Sequence, residues 1–328
     1  MTESPTRTTK AIVAAAPGGP EVLQLQDVDI PVPGTGQLLV KVAAAGVNFI
    51  ETYERSGTYK VPFPYTPGSE AAGTVAALGE GVTGVAVGDR VAFSEGSGTY
   101  AEYALVRAEA ALPVPEGISD EVAAAMPLQG MTAHYLVNST FKVQAGQTVL
   151  THAGAGGVGL ILTQLIKAKG ARVITTVSSD EKEALARAAG AAEVLRYEGF
   201  AEKVRELTKG TGVDVVYDGV GKDTFDGSLA SLRKRGMMVL FGGASGQVPP
   251  FDVQRLNAGG SLFLTRPKLA DHLLTSEERR WRSGELFDAV LAGKLNIRIG
   301  ASYPLADAAR AHADLQARRT TGKLLLIP

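Results

Sequence analysis

The sequence predicts an α/β protein in which a doubly wound parallel sheet is inserted into a mostly β domain built from both ends of the chain. Three observations carry this. A glycine loop, "HAGAGGVG" from His152 to Gly159, lies between a strand-like and a helix-like segment. Five further strands alternating with helices follow it, the rhythm of a parallel sheet with crossovers. On either side the pattern reverts to short β-branched runs broken by Gly and Pro.

From about Lys10 to Met126 the runs are "LLVKVAAAGV", "GTVAAL", "DRVAFS" and "AEYALV", separated by turn clusters such as "PVPGTGQ" and "PFPYTPGSE". The rhythm changes near Pro127. "TVLTHA" leads into the helix "GVGLILTQLIKAKG", "ARVITTV" into "DEKEALARAAG", and "AEVLRY" into "FAEKVRELTKG". "VDVVYD" leads into a helix over "DTFDGSLASLRKR" and "MMVLFG" into a short irregular helix, with "SLFLTRP" closing the series. The remaining residues are mixed and end in the apolar strand "KLLLIP". The expected division is therefore a β domain over 1–126 and 267–328 with the α/β domain over 127–266.

The bulk numbers fit two domains with sizeable cores: 328 residues, 45% hydrophobic and 20% charged. Lys plus Arg number 33 against 34 Asp plus Glu, with no block of like charge, so neither nucleic acid nor an anionic membrane is announced. The opening "MTESPTRTTK" lacks the apolar core of a signal peptide, and no apolar run is long enough to span a bilayer. The expected location is the cytoplasm. The absence of cysteine excludes disulfides, thiolate nucleophiles and zinc sites built on sulfur. The sequon at Asn138 is read as chance in that setting.

Gly154, Gly156 and Gly159 form G-x-G-x-x-G between a strand and a helix, with Gly157 and Val158 opening the helix. Glycines there let the backbone turn and approach a pyrophosphate whose charge rests on the helix N-terminus. An NAD-preferring site places Asp or Glu at the end of the second strand; here Ser178 and Ser179 follow it. Lys182 falls in the first turn of the next helix, where the dipole disfavours a cation unless a 2'-phosphate is bound. Equally, Ser179 or Asp180 could cap that helix with Lys182 reaching solvent, and Asp180 argues against NADP.

Taken together, "AGVNFIETYERSGTY", "GSEAAG", "VAVGDRV", "HAGAGGVGL", "VVYDGVG" and "SLFLTRP" resemble the zinc-free quinone oxidoreductases, the zeta-crystallin-like branch of the medium-chain dehydrogenase/reductase superfamily. The resemblance runs from about Gly19 to Pro328. It implies a chaperonin-10-like catalytic domain, a Rossmann domain, NADPH as cofactor and quinone reduction between them. It also implies a homodimer joined edge to edge, for which the apolar "SLFLT" is a natural seam.

By the resemblance, Lys182, Tyr197 and Arg318 surround the 2'-phosphate. Read alone, Tyr197 is strand-end packing and Arg318 a charge near a helix C-terminus. Asn48, Phe49, Ile50, Tyr53 and Tyr135 fall beside the nicotinamide half, and Val220, Gly242, Gly243 and Ser245 along the cofactor's path. Gly243 departs from the family, which often has Asn there.

Zinc dehydrogenases of the superfamily use a loop cysteine and the histidine of "GHE"; this chain has Asn48 in the loop and "GSE", with Ser69 in the histidine's place. His134, His152, His272 and His312 lack ligand spacing, so no metal site is expected and His152 is read as non-catalytic. Hydride added to a simple ketone gives an alkoxide of pKa roughly 15.7; added to a quinone it gives a phenolate-like anion near about 10. The gap of roughly six units is about 8 kcal/mol, so a metal-free enzyme favours an acceptor that stabilises its own anion. Quinones and α,β-unsaturated carbonyls both qualify.

Tyr53 and Tyr59 lie in the loop expected to face the nicotinamide. In the related enoyl-thioester reductases the proton-donating tyrosine aligns with Tyr59; equally, both rings could line an apolar pocket for a flat substrate. The expected activity is NADPH:quinone oxidoreduction. The alternatives are an enone or enoyl-thioester reductase using Tyr59, or a cofactor-binding structural or RNA-binding protein of crystallin type, although near-neutral charge speaks against RNA.

Overall fold

The computed structural model describes residues 8–328. What the N-terminal reading drew from residues 1–7 lies outside them. The described chain divides into two compact units. One comprises the described residues up to Leu128 together with Thr275–Pro328, and the other is Gln129–Leu274. The later border falls beyond residue 266 because His272 stays with the insert, its ring stacked on Tyr135 at 4.2 Å and 6°.

In chain order the first unit supplies β1 (Thr8–Ala14), β2 (Leu23–Asp29), β3 (Gln37–Val47), α1 (Phe49–Arg55), β4 (Ala71–Leu78), β5 (Arg90–Phe93), β6 (Tyr103–Arg107), β7 (Leu112–Pro113) and α2 (Asp120–Ala125). After α3 (Pro127–Tyr135) the insert contains β8 (Thr148–Thr151), α4 (Gly157–Ala168), β9 (Arg172–Thr176), α5 (Asp180–Ala189), β10 (Glu193–Leu195) and α6 (Phe200–Leu207). It continues with β11 (Val213–Asp218), α7 (Phe225–Ser231), β12 (Leu232–Leu240), α8 (Gln254–Ala258) and β13 (Phe263–Thr265). Finally α9 (Ser276–Leu291), β14 (Ile299–Pro304), α10 (Ala308–Gln316) and β15 (Lys323–Ile327) rejoin the first unit.

The last strand completes the first sheet. β15 lies antiparallel to β3, Leu325 opposite Gly46, in a seven-stranded sheet ordered β14-β15-β3-β4-β5-β7 with β6 also paired to β3. Leu38, Val40, Val42, Phe93, Leu324 and Leu326 form much of its core. In the insert the order is β10-β9-β8-β11-β12-β13, every pair parallel. The order reverses between β8 and β11, so the loops leaving those two strands flank the crevice where such sheets bind ligands.

One helix is shorter than its sequence suggested. α7 stops at Ser231, and Leu232–Arg235, read as its last turn, belongs to β12. The Arg205 guanidinium donates to the carbonyls of Ala230 and Leu232 at 2.8 Å each, and Ala230 is one the helix would have used. Leu232 is already extended at φ −74° and ψ 143°, and Arg235, at φ 58°, places its N–H on Gly260 O at 2.8 Å.

A buried polar group ties α1 to α10. Arg55, 2% exposed, donates from Nε to Gly18 O at 3.1 Å and from NH2 to Gln316 Oε1 at 3.0 Å. Its NH1 lies 3.3 Å from His312 Nδ1. A guanidinium only donates, so Nδ1 accepts and Nε2–H points to Tyr100 OH at 3.0 Å. Burial and the adjacent Arg55 hold His312 down to about 3. The folded pKa is depressed, so this stability is complete above the unfolded histidine's 6.5 and is lost as pH falls toward 3. Between pH 7.5 and 5 the single group costs about 2 kcal/mol. Urea unfolding at the two pH values measures it, and His312→Gln should flatten the decline by about that amount.

Candidate functional site

The glycine loop separates what the fold needs from what a ligand needs. β8 ends at Thr151, Ala153 takes φ 54°, and Gly154 N donates to Thr176 O at 3.0 Å. A Cβ on Gly154 would meet Thr175 Oγ1 at 2.4 Å, and one on Gly159 would meet Ala153 O at 2.3 Å. A Cβ on Gly157 would meet Gln129 Oε1 at 1.8 Å. Gly154 and Gly159 are required by the chain's own packing, whereas at Gly157 the obstacle is the far end of the flexible Gln129 side chain. Gly156 is different: it is the N-cap of α4 in extended conformation, φ −77° and ψ 169°, and its Cβ would meet only Ala153 O, at 3.2 Å. A side chain there needs the Ala153 carbonyl to give by only a few tenths of an ångström. Gly156 also gives α4 no capping oxygen, so a helix N-terminus begins behind a position kept clear, with Val158 half-buried in its first turn. That is the cradle a pyrophosphate fits.

The end of β9 carries the residues expected around an adenosine 2'-substituent. Ser179 Oγ caps α5, accepting from Lys182 N at 3.4 Å, and Lys182 Nζ turns back to within 3.4 Å of Ser178 Oγ. The serine caps as one sequence reading expected, while the half-buried lysine folds over the other serine. Tyr197 OH accepts from Ala153 N at 3.2 Å, which ties the end of β10 to the glycine loop. Asp180, the argument against NADP, is paired with Arg196, which also meets Glu183 at 3.0 Å. Arg187 and Arg196 hold the Glu183 carboxyl below its usual range. Arg318 lies in the other unit, exposed at φ 56° beyond the end of α10.

Asp218, at the end of β11, organises the loops on the cofactor's expected path. Its Oδ1 accepts from Val220 N at 2.8 Å and Gly221 N at 2.9 Å; its Oδ2 accepts from Thr224 Oγ1 at 2.7 Å and Ser228 Oγ at 2.8 Å. Ser228 spends its one proton on Asp218, so it accepts from His152 Nε2–H at 2.9 Å, and His152 Nδ1 accepts from Thr176 Oγ1 at 2.8 Å. Burial lowers the His152 pKa. A Ser, a His and an Asp thus meet with the serine bonded to the wrong partner for nucleophilic chemistry, and the group holds backbone. Ser245 Oγ donates to Val220 O at 2.8 Å and accepts from Asp223 N at 3.0 Å. Its hydroxyl is thereby committed to joining two loops. Gly242 is packed on Gly219 O, 2.6 Å from its Cβ position, whereas the Cβ of Gly243 would meet only Gly246 O at 3.3 Å. Tyr135 is 1% exposed and stacked on His272, so its ring is core to the insert.

In the first unit Asn48 caps α1, and its N–H donates to Glu51 Oε2 at 2.7 Å. Its side chain is locked by two buried charges 253 residues apart: Nδ2 donates to Glu70 Oε2 at 2.9 Å, and Lys323 Nζ donates both to Asn48 Oδ1 at 2.6 Å and to Glu70. Glu70 Oε1 accepts from Leu128 N at 2.7 Å. Burial pushes Glu51 up to about 8 against the pull of Lys323, and its Oε1 has no hydrogen-bond partner. Phe49, Tyr53 and Tyr59 form a ring ladder with centroid spacings of 6.3 and 5.3 Å. Ile50 and Tyr59 are each 38% exposed, giving this end an apolar, aromatic face.

The residues at the zinc positions do not fit zinc. Asn48 and Ser69 supply neither thiolate nor imidazole, and the Lys323 ammonium already sits on Asn48 and Glu70. Sequence reasoning missed Lys323, Glu70 and Arg196, whose partners are distant in the chain, and Asp218, whose partners Val220, Gly221, Thr224 and Ser228 are local. The signals for Glu70 and Asp218 were the "GSEAAG" and "VVYDGVG" stretches that contain them.

The "Alcohol dehydrogenase GroES-like domain" family matches residues 34–116 and the "Zinc-binding dehydrogenase" family matches 157–282. A quinone oxidoreductase of Pseudomonas aeruginosa is 46% identical over 97% of this chain and 99% of its own. A 2-haloacrylate reductase of a Burkholderia species is 42% identical over 97% of this chain and 98% of its own. A mycobacterial protein solved in complex with NADPH superposes with a TM-score of 0.96 at 54% identity, covering 97% of this chain and all of that one.

Proposed function

The chain belongs to the quinone oxidoreductase branch of the medium-chain dehydrogenase/reductase superfamily, and on that footing we propose that it is an NADPH-dependent quinone oxidoreductase needing no metal. The observation that carries the reading is the Asn48 side chain, fixed between Lys323 and Glu70 where zinc relatives hold a ligand. A site of that composition suits an acceptor that stabilises its own anion. Bound NADPH supplies the hydride.

Gly156, Gly157, Val158 and Gly159 would receive the pyrophosphate; Ser178, Ser179, Lys182 and Tyr197 would receive the 2'-phosphate. Val220, Gly242, Gly243 and Ser245 line the path, the last by holding its loop. Asn48, Phe49, Ile50 and Tyr53 belong to the nicotinamide end, and the family resemblance assigns Tyr135 to the same half of the cofactor. Asn48 and Tyr53 orient the acceptor. Among the described residues no helix is long and apolar enough to cross a membrane. The same reading makes the working form a cytoplasmic homodimer joined along β13, which ends its sheet and leaves Phe263 56% exposed.

A second acceptor class has its own support: the exposed Tyr59 ring and the kinship with a 2-haloacrylate reductase favour an activated alkene. NADPH oxidation measured with 1,4-benzoquinone and with a crotonyl thioester separates the two. The quinone should turn over, and Tyr59→Phe should leave that rate within about twofold while cutting any thioester rate about a hundredfold. Turnover of the thioester alone would replace the quinone reading; tight NADPH binding with neither turned over would favour a non-enzymatic role.

A further inference from the structure

The corner between α5 and β10 poses a charge problem for the cofactor reading, on which this inference rests. Asp180, Glu181 and Glu183 all lie in the first turn of α5, beside the serines assigned to the 2'-phosphate. A phosphate monoester carries about −1.5 to −2 charges near pH 7, so uncompensated carboxylates there oppose NADPH and spare NADH.

Arg196 answers it. Its NH2 is paired with Asp180 Oδ1 and its NH1 with Glu183 Oε2 at 3.0 Å, so one guanidinium engages both carboxylates. Arg196 directly precedes Tyr197, whose hydroxyl accepts from Ala153 N at 3.2 Å; the chain segment that brings the phenol to the glycine loop also brings the guanidinium to α5. With Arg196 present, the charges of Asp180, Glu181, Lys182, Glu183, Arg187 and Arg196 sum to zero, and without it the corner is negative. Arg187 is already taken up by Glu183 at 2.8 Å, which leaves Asp180 to Arg196.

We propose that Arg196 sets the preference for NADPH over NADH by cancelling Asp180 and Glu183, acting through them as a positioning residue rather than by binding the phosphate itself. Lys182 then meets the phosphate with Asp180 and Glu183, two of the three acids of that turn, neutralised. The same logic explains how a chain with Asp so close to the end of its second strand, a feature of NAD sites, can still take the phosphorylated cofactor.

The test is equilibrium titration of the full chain with NADPH and NADH, followed by fluorescence of the bound nicotinamide. Arg196→Gln should bind NADPH about tenfold more weakly, the order expected when one net negative charge is restored a few ångströms from a phosphate in water-like surroundings. NADH binding should stay within about twofold and the NADPH loss should shrink at high salt. The pair is exposed, so folding is unaffected, and Arg196→Lys should keep most of the preference. Adding Asp180→Asn to Arg196→Gln should restore most of the NADPH affinity. Equal loss of both cofactors would make Arg196 merely structural, and failure of Asp180→Asn to restore binding would make it a direct phosphate ligand; either overturns the proposal. Wild-type chain that binds NADH as tightly as NADPH would instead remove the cofactor reading beneath it.

Discussion

Lys323→Met should lower the unfolding free energy of the first unit by about 3–5 kcal/mol, the cost of leaving a buried charge without its partner. Lys323 is 1% exposed and Glu70 is 0%, so water cannot replace the lost ammonium. The backbone depends on the same contact: a Cβ on Gly46 would meet Glu70 Oε2 at 2.3 Å and Lys323 Cε at 2.8 Å, so the strand is packed directly against the pair. Glu70→Gln added to Lys323→Met should recover most of the loss. The amide can still accept from Leu128 N and can exchange hydrogen bonds with the Asn48 side chain, whose Oδ1 the lysine has vacated. Quinone turnover should stay low in both variants, since Asn48 no longer receives a charged donor. Urea unfolding of the two variants checks the stability claim, and a single variant within about 1 kcal/mol of wild type would contradict the buried pair.

Gly156→Val should do the reverse, leaving the fold and removing the cofactor. The position has φ −77° and ψ 169°, open to valine, and the nearest heavy atom to its Cβ is Ala153 O at 3.2 Å. Loss of the glycine N-cap costs no more than about 1 kcal/mol. A branched side chain in front of the α4 N-terminus, however, displaces a pyrophosphate by an ångström or more, and NADPH affinity should fall at least about a hundredfold. Gly159→Val is the contrast, because its Cβ would lie 2.3 Å from Ala153 O and 3.0 Å from Gly154 Cα; that chain should fail to form the loop at all. Thermal unfolding and NADPH titration of the pair distinguish a position kept clear for a ligand from one kept clear for packing.

These two variants mark where sequence reasoning succeeds and stops. The glycine loop was legible because strand, turn and helix are local, and β8 to β13 were legible because apolar runs of strand length alternate with helical periodicity. "LRKR" was misread as the end of α7, since what stops that helix is Arg205, 25 residues away from Ala230. Lys323 reads in "KLLLIP" as the polar start of a strand; only the pairing of β15 with β3 turns it inward to Asn48 and Glu70. Asp180 reads from the sequence as an argument against NADPH, but its pairing with Arg196 is a contact 16 residues away with no motif. Local backbone requirements leave a pattern in a sequence, whereas charge pairing across a fold leaves only two ordinary residues.

The proposed reaction is hydride transfer from NADPH to a quinone on a site whose cation is a lysine. Stopped-flow mixing of the NADPH-loaded protein, stripped with a chelator, against 1,4-benzoquinone tests it most directly. The expected result is oxidation of the bound NADPH at a rate that saturates with quinone and does not change when zinc is added back. Oxidation that appears only after zinc is restored, or bound NADPH left unoxidised by the quinone, would contradict it.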